Sequence, residues 1–204
     1  MRAWQAHSEL LLKGEWHVHT SLTDGEGTVD EYCRRAQALG IPLIAFTEHV
    51  RLDLKYDFNA FLDSIDEARE EYDIIILSGC EAKVLPGGEL DVEDWILDAV
   101  DHPIFAFHAF PDDRELYFTS LLKAIRSKAV AWAHPGALLK HRSYHLDDDE
   151  LEWVFRSMAE REVLLELNSK YDVPPEDWRT LASSLGVRFV RGGDIHSPDT
   201  LRKY

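Results

Sequence analysis

The 204-residue chain is predicted to fold as one α/β domain, a seven-stranded (β/α) TIM-like barrel. Three observations predict it. A short apolar run, a polar cluster and an amphipathic stretch of helical period follow one another seven times along the chain. The apolar runs are hydrophobic almost continuously, as expected of parallel strands covered on both faces. Residues with metal-binding side chains collect where nearly every run ends. The first two observations allow an open, doubly wound sheet as readily as a barrel. The third decides, because only a barrel gathers all the strand ends around one centre, whereas an open sheet spreads them along a line.

The predicted strands are Glu15–His19, Leu43–His49, Ile74–Val84, Pro103–Phe107, Ala129–Ala133, Val163–Asn168 and Arg188–Arg191. Helices are expected over about 28–39, 57–72, 92–100, 113–127, 147–161 and 175–185. Thr28-Val-Asp-Glu31 reads as a capping box, and Pro174-Pro175 precedes two acids in a first turn. Gly40 and Gly186 fall where helices should end. With no linker, low-complexity tract or repeat, residues 1–204 are expected to share one core, a size that a single domain accommodates.

Composition narrows the function. No apolar run approaches the roughly 18 residues of a membrane span. The first sixteen residues carry acids and lack a long apolar region, so no secretory leader is predicted and the chain is expected in the cytoplasm. Cys33 and Cys80 stand far apart and read as small packed hydrophobes rather than a disulfide or thiolate site. A net charge of −16 repels long polyanions, and no basic run could neutralise many phosphates at once. A small phosphorylated partner is a different matter, because bound divalent cations reverse the local field. Nothing in the chain specifies an oligomeric state.

The chemistry starts at Trp16-His-Val-His19, where two imidazoles two residues apart on a strand share a face. Alone the pair says little. Further strands end in His49, Glu81, His108, His134 and Asn168, and the last run leads to Asp194 and His196. Imidazole and carboxylate donors without sulfur suit Zn²⁺, Mn²⁺ or Fe²⁺. Six histidines with at least three carboxylates exceed the four or so ligands of one zinc, so more than one ion is implied. Glu81 or Asp194 could bridge two ions, since a carboxylate has two oxygens. Asp24 lies in the loop after the first strand, where it either turns back over the strand mouth or simply forms an Asp-Gly turn.

His17-Val-His-Thr-Ser-Leu-Thr-Asp24-Gly, Thr47-Glu-His49, Gly79-Cys-Glu81, His108, Ala133-His-Pro135, Glu166-Leu-Asn168 and Gly193-Asp-Ile-His196-Ser-Pro198 together resemble the PHP (polymerase and histidinol phosphatase) family, in order from about residue 15 to 198. The resemblance implies a distorted seven-stranded barrel with a two- or three-metal cluster for phosphoester hydrolysis. It implies one ion on His17, His19, Glu81 and Asp194, a second on Glu81, His108 and His134, and a third on Asp24, His49 and His196. Where many relatives read Thr-Asp-His, this chain has Glu48, expected either to orient His49 or to be solvated.

The implied reaction is hydrolysis of a phosphomonoester of a small metabolite, by in-line attack of a hydroxide held by the metals. Asp194 and His196 are the candidate proton donors to the leaving alkoxide. Arg51, Lys140, Arg142, Lys170 and Arg191 lie near strand ends where a cation could hold phosphate. Lys170, directly after the motif that ends in Asn168, is the preferred substrate residue, with Asn168 and Arg142 beside it. Three other readings stay open: a phosphodiesterase or exonuclease on short oligonucleotides, an amidohydrolase-type barrel, and a non-catalytic module of the same fold. An amidohydrolase usually bridges its metals with a lysine where this chain has Glu81, and a non-catalytic module typically loses ligands.

Overall fold

The computed structural model describes residues 2–203. Seven strands form one parallel sheet in chain order: β1 (Glu15–Val18), β2 (Leu43–Val50), β3 (Ile75–Lys83), β4 (His102–Ala106), β5 (Ala131–Trp132), β6 (Leu164–Asn168) and β7 (Phe189–Gly192). Helices α2 (Val29–Leu39), α3 (Phe58–Glu71), α4 (Asp94–Ala99), α5 (Arg114–Ala124), α6 (Asp148–Arg161) and α7 (Glu176–Ser184) fill the connections. A short α1 (Ala3–Ala6) precedes β1 and had no counterpart among the predicted helices. Among the described residues no helix is long and apolar enough to cross a membrane.

The sheet closes on itself. Ile195, just past β7, donates its N–H to the His17 carbonyl at 3.0 Å and accepts from the His19 N–H at 2.9 Å, a parallel bridge opposite Val18. At the other end of the barrel the Arg191 N–H reaches the Leu11 carbonyl. Closure therefore uses the segment that carries Asp194 and His196, which settles the barrel over the open sheet.

Alternation along the strands separates two environments. Ile44, Phe46, Ile76 and Cys80 pack with Tyr32, Phe61 and Ile65 from α2 and α3, so they point outward. Leu43, Ala45, Leu77, Ile104, Ala106, Leu164 and Val190 share a cluster containing nothing from α2 to α7, so they fill the barrel. Trp4, Leu11 and Trp16 join that inner cluster and plug the N-terminal end of the barrel. Continuing each inward column toward the strand C-termini turns it polar: Thr47 and His49 on β2, Glu81 on β3, His108 after β4, Glu166 and Asn168 on β6. The lower half of the barrel is thus a dry core and the upper half is the site.

The predicted fifth strand shrinks at both ends to Ala131–Trp132, and two residues beyond it His134 takes a left-handed backbone (φ 33°). The neighbouring hydrogen bonds Val130 N to Pro103 O (2.7 Å) and Ala133 N to Phe105 O (2.9 Å) still stitch this segment to β4. The Thr28–Glu31 capping box and the left-handed Gly40 cap bound α2 as the sequence indicates. Cys33 and Cys80 are buried and free. Strand β1 is irregular, with Glu15 opposite Ile44 but Val18 opposite Phe46.

Arg191 does not reach the site. It is buried on β7, donating to the Glu15 carboxylate at 2.9 Å and to the carbonyls of Gly14 and Arg202. Glu15 also accepts from the Gly193 N–H at 2.6 Å, so this pair clamps β1 to β7 beneath the closure. Burial pushes the Glu15 carboxyl up to about 7, against the lowering effect of Arg191. Removing the carboxylate leaves a buried guanidinium without its counter-charge. Glu15→Ala should accordingly cost about 3–5 kcal/mol of unfolding free energy, read from urea denaturation; a loss below 1 kcal/mol would show that the clamp does not hold the barrel closed.

Candidate metal centre

The strand ends deliver nine nitrogen- or oxygen-bearing side chains to one mouth. Glu81 lies at the middle. Its Oε1 is 2.9 Å from His134 Nε2, 3.5 Å from His108 Nε2 and 3.7 Å from His17 Nε2. Its Oε2 is 2.9 Å from His49 Nδ1 and 3.6 Å from His19 Nε2. Asp194 Oδ1 stands 3.4 Å from His19 Nε2, 3.8 Å from His17 Nε2 and 3.3 Å from His196 Nδ1. Asp24 Oδ2 is 3.3 Å from both His49 Nε2 and His196 Nε2.

Three groups have donor atoms close enough to share an ion: His17, His19 and Asp194; His49, Glu81 and His108; and His19, Asp24, His49 and His196. They overlap the three sets implied by the sequence without matching them. His49 approaches Glu81 as well as Asp24, and His19 faces two groups. His134 sits beside Glu81.

The donor chemistry fits divalent cations. His49 Nδ1 and Glu81 Oε2 lie 2.9 Å apart but share no hydrogen bond, and both are buried without a hydrogen-bond partner. His17 Nε2 and His19 Nε2 face each other at 3.0 Å. Atoms crowded in this way point their lone pairs at common centres. The electrostatics agree. Burial would lower the basicity of His17, but the neighbouring Glu166 and Glu81 carboxylates raise it well above the usual imidazole range. Burial likewise would raise the Asp194 carboxyl, yet the hydrogen bond from His19 and the charge of His17 hold it far below the carboxylate range. Burial lowers His19 to about 4, which leaves it neutral and able to donate a lone pair. Ionised carboxylates set against imidazoles in this way favour a cation, whether a proton on His17 or a metal ion.

In the sequence Glu166 stands only as part of a motif; the structure gives it a definite task. Its Oε1 accepts from His17 Nδ1 at 2.6 Å, fixing the tautomer that turns Nε2 toward the cluster. Its Oε2 accepts from the His134 N–H and, at 3.0 Å, from Asn168 Nδ2. The signal was present: a lone acid on the inward face of the otherwise apolar Val163-Leu-Leu-Glu-Leu. Asn168 itself is buried, with its side-chain oxygen accepting from the Tyr171 N–H at 3.0 Å. Two of the candidate ligands hold non-glycine left-handed backbones, His134 (φ 33°) and Asp194 (φ 49°), the kind of local strain that tertiary contacts retain at working sites.

The cations suggested for phosphate divide. Lys170 Nζ lies 3.0 Å from Asp194 Oδ2 and 3.3 Å from His196 Nδ1, at the rim. Arg142 instead donates to the Phe110 carbonyl and stands 4.0 Å from Asp112. Lys140 donates to the Tyr171 and Asp172 carbonyls, and Arg51 lies 3.7 Å from Asp91. Of these, Lys170 is the one in contact with the cluster. Glu48 was expected to orient His49 or to be solvated; it is buried on the other face of β2 and bonds Thr20 and Thr23.

The PHP domain family model matches residues 15–170. The chain belongs to the PHP family. Membership makes it a metal-dependent hydrolase of phosphoric esters. It is 30% identical over 198 residues to a protein of Acetivibrio thermocellus named probable phosphatase, covering 88% of this chain and 78% of that one. It is 28% identical over 205 residues to the DNA polymerase/3'-5' exonuclease PolX of Bacillus subtilis, covering 93% of this chain but only 35% of the larger enzyme. Among solved structures, the histidinol phosphate phosphatase of Lactococcus lactis, complexed with zinc, L-histidinol and phosphate, superposes with a TM-score of 0.73 at 20% identity, over 91% of this chain and 87% of that one. That likeness establishes the PHP barrel.

The Glu166 carboxylate passes so close to β7 that a Cβ on Gly192 would stand 1.8 Å from Oε1. Glu166→Gln and Gly192→Ala should therefore both weaken metal binding, by about 10–100-fold, in chelator-competition titrations; unaltered affinity in both would show that His17 needs no orienting partner. The raised basicity of His17 sets a second expectation. The ring carries a proton near neutrality that an ion must displace, so the apparent Kd should fall about tenfold per pH unit for each proton released. A Kd independent of pH between 6 and 8 would contradict it.

Proposed function

We propose that this PHP chain hydrolyses the phosphate monoester of a small metabolite at the strand-end cluster. The observation that carries the reading is Glu81 set among His17, His19, His49, His108 and His134, with Lys170 beside Asp194 at the rim. His17, His19 and Asp194 would hold one ion, Glu81 and His108 with His134 nearby a second, and Asp24, His49 and His196 a third. Zn²⁺, Mn²⁺ or Fe²⁺ bound there would acidify a water and neutralise charge on the phosphoryl oxygens.

The chain's own residues supply the remainder. Glu166 keeps His17 from turning. The Lys170 ammonium, partly exposed beside Asp194, would hold a phosphoryl oxygen as it enters. Asp194 is held ionised by His19 and His17, which suits an anionic ligand and not a proton donor. With the third ion absent, His196, part-exposed beside it, would be the group left to protonate the leaving alkoxide; with that ion bound, the ion would stabilise it instead.

The names of the Acetivibrio thermocellus and Lactococcus lactis proteins support a monoester. The match to the Bacillus subtilis exonuclease supports a second reading, cleavage of phosphodiesters in short oligonucleotides. The net charge of −16 disfavours long strands in that reading.

The test strips the purified chain with chelator, reloads it with Mn²⁺, Zn²⁺ or Fe²⁺, and assays a panel of phosphomonoesters beside an end-labelled oligonucleotide. Monoester turnover should return with metal, and Lys170→Ala should raise KM for phosphoesters about tenfold, the loss of one charge-assisted contact. Mononucleotide release without monoester turnover would favour the second reading. A chain that holds no metal and is inactive with all three ions would overturn both.

A further inference from the structure

We infer that Glu48 is a positioning residue that fixes Asp24 over the cluster, and so sets the affinity of the ion that Asp24, His49 and His196 would share without touching that ion itself. The inference rests on the reading of Asp24 as a ligand.

Adjacent residues on a strand point to opposite faces, so Glu48 leaves β2 away from His49. Its ladder partner is Cys80, which packs in the outer cluster beneath α2 and α3. The Glu48 side chain is fully buried there. A carboxylate stripped of water in apolar surroundings requires donors. Glu48 has two, the Thr20 N–H at 2.7 Å on Oε1 and the Thr23 hydroxyl at 2.6 Å on Oε2. Both belong to the turn that leads from β1 to Asp24.

That turn carries the ligand least supported by regular structure. The other candidate ligands sit on strands or within a few residues past them, whereas the Asp24 side chain is 53% exposed on a loop and still lies 3.3 Å from His49 and from His196. The turn is bonded internally, from the Thr23 and Gly25 N–H groups to the Thr20 carbonyl. On the far side the Glu26 N–H donates to the His196 carbonyl at 2.7 Å. On the near side Glu48 grips both Thr20 and Thr23. Without that grip the turn gains conformational freedom, which binding of the ion must then remove.

The test titrates the metal-stripped, full-length chain with Mn²⁺ against a chelating dye, resolving the successive ions. Glu48→Ala should weaken one ion about 10–100-fold and leave the tighter ones unchanged. Glu48→Gln, which keeps an acceptor for Thr20, should lose less. Thr23→Val should weaken the same ion, and should add little to Glu48→Ala because both remove one interaction. If Glu48→Ala does not fold, Glu48→Gln and Thr23→Val carry the test. Loss spread evenly over all the ions, or no loss, overturns the inference. Asp24→Asn separates the two levels: if it weakens one ion while the Glu48 and Thr23 variants weaken none, the brace is wrong and the metal reading stands. If Asp24→Asn has no effect, both the brace and the role of Asp24 fail.

Discussion

Two backbone hydrogen bonds, both made by Ile195 to β1, hold the barrel and its site in one stroke. A sheet whose strands run in chain order has free edges at its first and last members. Here the edges meet through Val18 and Ile195, whose side chains share the outer core beneath α2 and α3. Because strand side chains alternate, burying those two outward turns their neighbours inward. His17 and His19 flank Val18, and Asp194 and His196 flank Ile195, so the same closure opposes an His-x-His to an Asp-x-His. Glu15 and Arg191 reinforce the seam from below.

The inner surface of the barrel is divided along its axis. Its lower part is filled by aliphatic residues and by the Trp4–Trp16 plug, and its upper part by carboxylates and imidazoles. Packing charged groups above a dry core is costly unless opposite charges compensate. The carboxylates of Glu81, Asp194 and Glu166 raise the affinity of the site for positive charge, protons and metal ions alike. The same arrangement that would be unfavourable as bare acids therefore becomes favourable once cations compensate it. Local field and global charge act together here, since an acidic surface discourages polyanions while the bound ions would admit one small phosphate.

Much of this was legible from spacing. His49, Glu81, His108 and His134 each end an apolar run, and the β-strand period of two puts them on the inward face. The barrel followed from the number of such ends, and its closure bears that out. Proximity in sequence failed where orientation mattered. Arg191 stands near the end of β7 but points outward into the Glu15 clamp. Glu48 adjoins His49, and the alternation that located His49 also shows that the two cannot face one another. Glu166 needed long-range information, because only the fold brings it to His17, 149 residues away. The left-handed backbone of His134, whose N–H meets the Glu166 carboxylate from 32 residues away, is a long-range feature of the same kind.

Gly192 shows how the site also depends on what a residue lacks. Its hydrogen leaves the room through which Glu166 reaches His17, and any larger residue would compete for that volume with a carboxylate oxygen. The room over β7 that the carboxylate fills is then as much a component of the candidate metal centre as the side chains around it. Its information is carried by a missing carbon atom, which makes a position with no functional group at all a determinant of which way an imidazole faces.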